Sequence, residues 1–146
     1  MSPIPLMSRI GLTVIGLALS LGASAAAADV VAVVSAKAPV VLLSKNQVVD
    51  IFLGKASRFP DGRPAVPIDQ EEGSAARDEF YATFASMTPA QLKAHWSKII
   101  FTGRGQPPMT VSSSNEVKKR VTATPNSIGY IDSALMDGSV KVLLAP

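Results

Sequence analysis

The chain has 146 residues, a formal net charge of +3, one histidine and no cysteine. Its length suits one small domain, and its basic excess is too slight to point to nucleic acid. The absence of cysteine excludes disulfides, an acylated lipoprotein N-terminus and thiolate metal sites.

The first 28 residues differ from the rest. Arg9 is their only charge, an apolar run follows from Ile10 through Leu21, and GASAAAAD comes next. A basic start, a short apolar core and small residues at the A-x-A spacing make a secretory signal peptide. The core is shorter than the roughly 20 residues a membrane-spanning helix needs. Cleavage before Asp29 removes one of the 14 Lys/Arg and none of the 11 acids, and leaves residues 29–146 as an exported domain in the periplasm.

The run DVVAVVSA (29–36) is apolar and β-branched, which suits a buried strand. Ser44 and Gln47 form a capping box ahead of a helix whose Val48, Val49, Ile51 and Phe52 share one face. Gly54 stops that helix, with Lys55 at its negative end. ASRFPDGRP is a loop, and AVPI (65–68) is extended. DQEEGSAARDEF (69–80) leads into a helix expected from Ala75 to about Ala85, with Phe80 and Phe84 four apart. Thr88, Pro89 and Gln91 start another, whose stripe of Leu92, Trp96, Ile99 and Ile100 ends at Gly103. After the loop RGQPP, Ser113 and Glu116 read as a third capping box, for a helix that runs to Pro125. SIGYI (127–131) and VKVLL (140–144) read as strands around the turn Asp137-Gly138.

The resulting order, β-α-β-α-α-α-β-β, predicts a three-layer α/β sandwich. IFLGK (51–55) and IFTGR (100–104) are better read as two helices stopped by the same glycine-plus-cation device than as a repeat. The sequence carries no G-x-S-x-G, no phosphate-loop lysine motif and no G-x-G-x-x-G, so neither a cofactor nor an enzyme is expected. His95 has no companion ligands or nucleophile motif and reads as a residue of a helix surface.

Four segments in order, IFLGK, PIDQEEGSAARDEF, HWSKIIFTGRGQPP and TPNSIGYI, resemble the phosphate ABC transporter substrate-binding proteins of the type II periplasmic class, and more closely the short single-domain members of that superfamily. Trp96, Phe101, Thr102 and Gly103, and then Ile128, Gly129 and Tyr130, carry the resemblance most specifically. Trp96 and Phe101 are suited to core between helix and sheet, Gly103 to a left-handed turn, and Gly129 to a close approach of backbone or ligand.

The resemblance implies one lobe of a binding-protein fold and a non-enzymatic solute-binding role related to phosphate or anion uptake. It implies phosphate or another small oxyanion as ligand, and a membrane permease or envelope protein as partner. In the full-length proteins a loop R-x-D-G-S-G-T opens a helix and surrounds the phosphate. The matching stretch here is QEEGSAA (70–76): Gly73 and Ser74 match, Gln70 stands for the arginine, and Ala75 and Ala76 stand for the glycine and threonine. Arg77 is the one cation nearby. Gly73, Ser74 and Arg77 are therefore the candidate anion site. Two other readings stay open: a plain helix cap in which Glu71 and Glu72 complement the helix dipole, and a protein–protein interaction module of the same fold without a small ligand.

The signal peptide is tested by mass spectrometry of the protein recovered from the periplasm. An N-terminus near Asp29 is expected, and full-length chain in the membrane fraction contradicts the reading.

Overall fold

The computed structural model describes Pro3 and residues 29–40 and 42–143. The expected signal peptide, Pro3 apart, and the end of the predicted VKVLL strand lie outside these residues. Strand β1 (Val30–Ser35) is apolar up to its last residue because helices cover the sheet on both sides of it. Ala32 and Val34 point to one hydrophobic cluster, and Val33 points to the other.

The remaining elements follow in the expected order, with one strand added. They are α1 (Lys45–Phe52), β2 (Val66–Gln70), α2 (Ala75–Ala85), α3 (Pro89–Phe101), β3 (Met109–Val111), α4 (Ser114–Ala123), β4 (Ser127–Asp132) and β5 (Val140–Val142), with a 3-10 turn at Ser133–Leu135. The sheet order is β3-β2-β4-β1-β5. β2 runs parallel to both β3 and β4, whereas β1 is antiparallel to β4 and β5. The carboxyl ends of β3, β2 and β4 therefore share one edge of the sheet, where α2 and α4 begin. In open α/β sheets that edge is the usual place for a ligand.

Helices α1, α2 and α3 cover one face, over Ala32, Val34, Ile128 and Tyr130. Helix α4 covers the other, with Val117 and Val121 on Val33, Ile68 and Ile131. This is the three-layer sandwich that the element order predicts. The helix starts are as expected at Ser44 and Thr88, where both halves of the capping box form. At Ser113 only half forms: its hydroxyl accepts from the Glu116 N–H. Gly54 and Gly103 both take positive φ, +74° and +66°, so the IFLGK and IFTGR segments share a helix stop.

Three expectations need correction. Met109–Val111, given no element between the RGQPP loop and Ser113, is a strand at the sheet edge; three residues after a Pro-Pro pair are too short to show a period. Strand β2 continues through Asp69 and Gln70, which read as the approach to a helix. Phe101, placed in the core, is 92% exposed, and Ile100 is 55% exposed. Leu92, Trp96 and Ile99 recur at the spacing of the inward stripe, and the next two side chains rotate off it.

Gly129 sets the distance of α4 from the sheet. A Cβ there would stand 2.3 Å from Val117 Cγ1 and 3.1 Å from Val121 Cγ2. The close neighbour is thus the helix layer. Gly129→Ala is expected to destabilise the domain by about 1–3 kcal/mol through overpacking, and Val117→Ala in the same chain to recover part of that loss. Urea unfolding measures both; an unchanged midpoint for Gly129→Ala contradicts the packing.

Candidate functional site

Strand β2 ends in two polar residues that water does not reach: Asp69 is 1% exposed and Gln70 2%. Buried polar groups need partners, and these have them. The Asp69 carboxylate accepts from the Tyr81 hydroxyl at 2.6 Å, from the Gln70 N–H at 2.8 Å and from the Tyr130 hydroxyl. The Arg77 guanidinium lies 3.9 Å away. Tyr81 comes from α2 and Tyr130 from β4, so one carboxylate joins two helical turns of α2 to the central strand. Phe80 stacks on Tyr130 with centroids 4.1 Å apart and rings 5° from parallel, which holds the tyrosine in place.

The Gln70 side chain makes the complementary set. Its Nε2 donates to Ser114 Oγ at 3.1 Å and to the Tyr130 carbonyl at 3.2 Å, and its Oε1 accepts from Ser74 Oγ at 2.8 Å. Ser74 caps α2, and Ser114 is the first residue of α4. One amide therefore ties the N-termini of both helices to the end of β2.

The candidate residues Gly73, Ser74 and Arg77 stand together within one turn. Gly73 has φ +91° and is exposed. Ser74 Oγ accepts from the Arg77 N–H at 3.3 Å. The Arg77 guanidinium donates to the Gln70 carbonyl at 2.7 Å and so folds back over the strand end. The Ser74 N–H reaches the Glu71 carbonyl, and the Asp78 N–H reaches the Ser74 carbonyl. Of the orphan donors at this helix start, Ala75 and Ala76 are the two that neither bond involves.

Glu71 and Glu72 are exposed and lie ahead of the Ser74 cap; the acid in the first turn of α2 is Asp78. Glu72 pairs with Lys93 at 3.9 Å, both side chains more than two-thirds exposed, which is a weak pair. It does not orient Arg77, whose partners are Gln70 and Asp69. Beside this turn lies a cavity of about 450 Å³ whose lining includes Glu71, Arg77, Lys93 and Trp96. His95 stands away from this cluster: its Nε2–H donates to the Leu53 carbonyl at 2.9 Å and ties α3 to the end of α1.

Asp69, Tyr81, Tyr130 and Ser114 were not among the candidates. The one sequence signal for them is the tyrosine in the mostly apolar SIGYI strand, since a buried phenol needs a hydrogen-bond partner. The carboxylate in this arrangement is saturated by donors. It is suited to hold the helix start rigid, and the Ala75 and Ala76 N–H groups are the donors left over there.

Burial, then the Asp69 charge and hydrogen bond, push both tyrosine hydroxyls far above their ordinary value near 10. Both remain donors in the folded state while tyrosines of the unfolded chain ionise. The stability they confer is complete below about pH 10 and falls as pH rises above it. Tyr130→Phe is expected to lower stability at neutral pH by about 1–3 kcal/mol, through a donor lost to a buried carboxylate, and to make the alkaline decline shallower. Urea midpoints between neutrality and alkaline pH check this, and an unchanged alkaline slope contradicts it.

No family model and no curated protein matches the chain. Solved structures do. A candidate phosphate ABC transporter substrate-binding protein with bound phosphate from Clostridium perfringens superposes with a TM-score of 0.62 at 24% identity, over 78% of this chain and 43% of that one. An ABC-type phosphate transport receptor from Vibrio cholerae gives 0.61 at 19% identity, over 78% and 44%. A candidate phosphate-binding protein from Planctomyces limnophilus gives 0.57 at 14% identity, over 78% and 40%. The chain spans less than half the length of each. Its described residues have the fold of the phosphate-type periplasmic binding proteins, in the span of about one lobe.

Proposed function

We propose that the protein is an exported, non-enzymatic solute-binding domain of the phosphate-uptake type, which holds a small oxyanion at the start of α2. The observation that carries this reading is the grouping of Gly73, Ser74 and Arg77 in one turn, at a helix N-terminus whose Ala75 and Ala76 N–H groups are left over as donors. Such an end combines free donors with the positive end of the helix dipole, which favours an anion. The fold shared with phosphate-binding proteins supports the same ligand class. Phosphate or sulfate fits the donor set, the periplasm is the compartment, and a membrane permease or envelope protein is the partner of such a role.

The mouth of the turn also carries Glu71 and Glu72, both exposed, and these repel an anion. Affinity is therefore modest and falls with added salt, because an open site is screened. Phosphate titrated to roughly millimolar concentration is expected to move the amide NMR signals of Gly73, Ala75 and Ala76. Arg77→Ala weakens the binding more than Lys55→Ala. Glu72→Gln strengthens it, since Glu72 is paired to Lys93 and not to Arg77. Unmoved amide signals with phosphate and with sulfate leave the turn a helix cap and defeat the proposal.

A further inference from the structure

The glycine-plus-cation stops of IFLGK and IFTGR end two different helices, yet they deliver their cations to one place. Gly54 and Gly103 turn the chain out of α1 and α3 with positive φ. Lys55 and Arg104, the residues that follow them, both line a hollow of about 640 Å³. Its wall is otherwise mostly apolar and includes Leu53, Val66, Pro67, Trp96, Ile99 and Met109. Val66 opens β2 and Met109 opens β3. The hollow therefore lies at the amino ends of those strands, whereas the turn at Gly73 follows the carboxyl end of β2.

Two features set what this hollow suits. The first is bare apolar surface, since Val66 is 37% exposed and Met109 54%. The second is charge of one sign. Among the described residues, Lys55 and Arg104 are the only ionisable side chains in the lining. Both are exposed, and neither is paired with a carboxylate. A cation after a helix also complements the helix dipole. Backbone groups already satisfy carbonyls at these two ends, however: the Lys55 N–H bonds the Asp50 carbonyl and the Arg104 N–H the Ile99 carbonyl. The stops therefore do not depend on the two side chains. An apolar wall with a few polar groups, at this volume, is the ordinary make-up of a small-molecule site.

Trp96 is the residue of the wall that reports on it. It is the chain's single tryptophan and is 6% exposed. Its six-membered ring lies against Gly54, where a Cβ would stand 3.0 Å from Cη2. Its Nε1–H has no acceptor among the described residues, whereas buried donors are ordinarily paired.

We propose that this hollow is a second binding site, for a small amphiphilic anion: an organic carboxylate whose hydrocarbon body lies on Val66, Trp96 and Met109 and whose head is held by Lys55 and Arg104. The apolar body supplies most of the driving force, and the cations select the sign of the head group. The inference does not rest on the oxyanion reading, because it concerns the other end of β2 and a ligand that must carry an apolar body.

Titration with decanoate, below its micelle concentration, tests this on the protein expressed from its whole sequence, in the form the cell leaves it. Decanoate is expected to move the amide NMR signals of Gly54, Lys55, Gly105 and Met109 and the emission of Trp96 together, with one dissociation constant, roughly micromolar to millimolar. Decyltrimethylammonium, the same body with a cationic head, binds at least about tenfold more weakly. Inorganic phosphate leaves these amides in place. Lys55→Ala and Arg104→Ala each weaken decanoate binding about two- to fivefold, and Lys55→Glu with Arg104→Glu at least about tenfold. Both side chains are exposed, so the thermal melt is unchanged. No saturable movement, equal binding of the cationic probe, phosphate moving the same amides, or an affinity indifferent to the double charge reversal overturns the proposal. So does movement of these amides with protein concentration alone, the mark of a second copy seated in the hollow.

Discussion

The carboxylate of Asp69 is the group on which the site depends. A charge taken out of water is costly unless donors replace its hydration. Here the replacement comes from the Tyr81 and Tyr130 hydroxyls and the Gln70 N–H, with Arg77 at 3.9 Å. Removing one donor leaves a buried acceptor short, so every partner is confined to one position. The start of α2 is confined with them, because Tyr81 and Arg77 both belong to that helix. Gln70 extends the constraint to the opposite face of the sheet through Ser114 on α4. The last two residues of β2 thus fasten both helix layers at the edge where the parallel strands end.

This arrangement changes the meaning of the site residues. Arg77 is the nearest cation to the turn, yet it is already bonded to the Gln70 carbonyl and partly balanced by Asp69. In the proposed site it would act on an anion only as a fixed neighbouring charge, weakened by its own counter-ion. Ser74 likewise spends its hydroxyl proton on Gln70. What the turn offers freely is backbone: two N–H groups, held in place by side chains that are themselves occupied. Backbone donors of this kind need no rearrangement to bind, which suits a weak and rapidly exchanging ligand.

Much of the fold was legible in the sequence because its signals are local. The caps at Ser44 and Thr88, the stops at Gly54 and Gly103, and the apolar runs of β1 and β4 each fix an element within a few residues. What escaped reading is non-local. Asp69 and Gln70 follow an extended AVPI, and it is partners elsewhere in the chain, Tyr81 on α2, Ser114 on α4 and Tyr130 on β4, that make it possible to bury them in a strand. β3 is a strand because β2 supplies its hydrogen bonds, with Ile68 opposite Met109 and Gln70 opposite Val111. Phe101 misled because it belongs to an apolar run; helix geometry carries it past the inward stripe. The Gly73-Ser74 turn was legible, but the occupation of its side chains by Gln70 was not, since that depends on where the strand ends.

In the proposed site, the Asp69 and Gln70 network holds the start of α2 open to an oxyanion. A crystal structure of the protein grown with phosphate tests it most directly. The anion is expected within hydrogen-bond distance of the Ala75 and Ala76 N–H groups, with Tyr81 and Tyr130 still on Asp69 and Arg77 still on the Gln70 carbonyl. An empty turn at saturating phosphate, or an anion seated only where Arg77 has left the network, contradicts it.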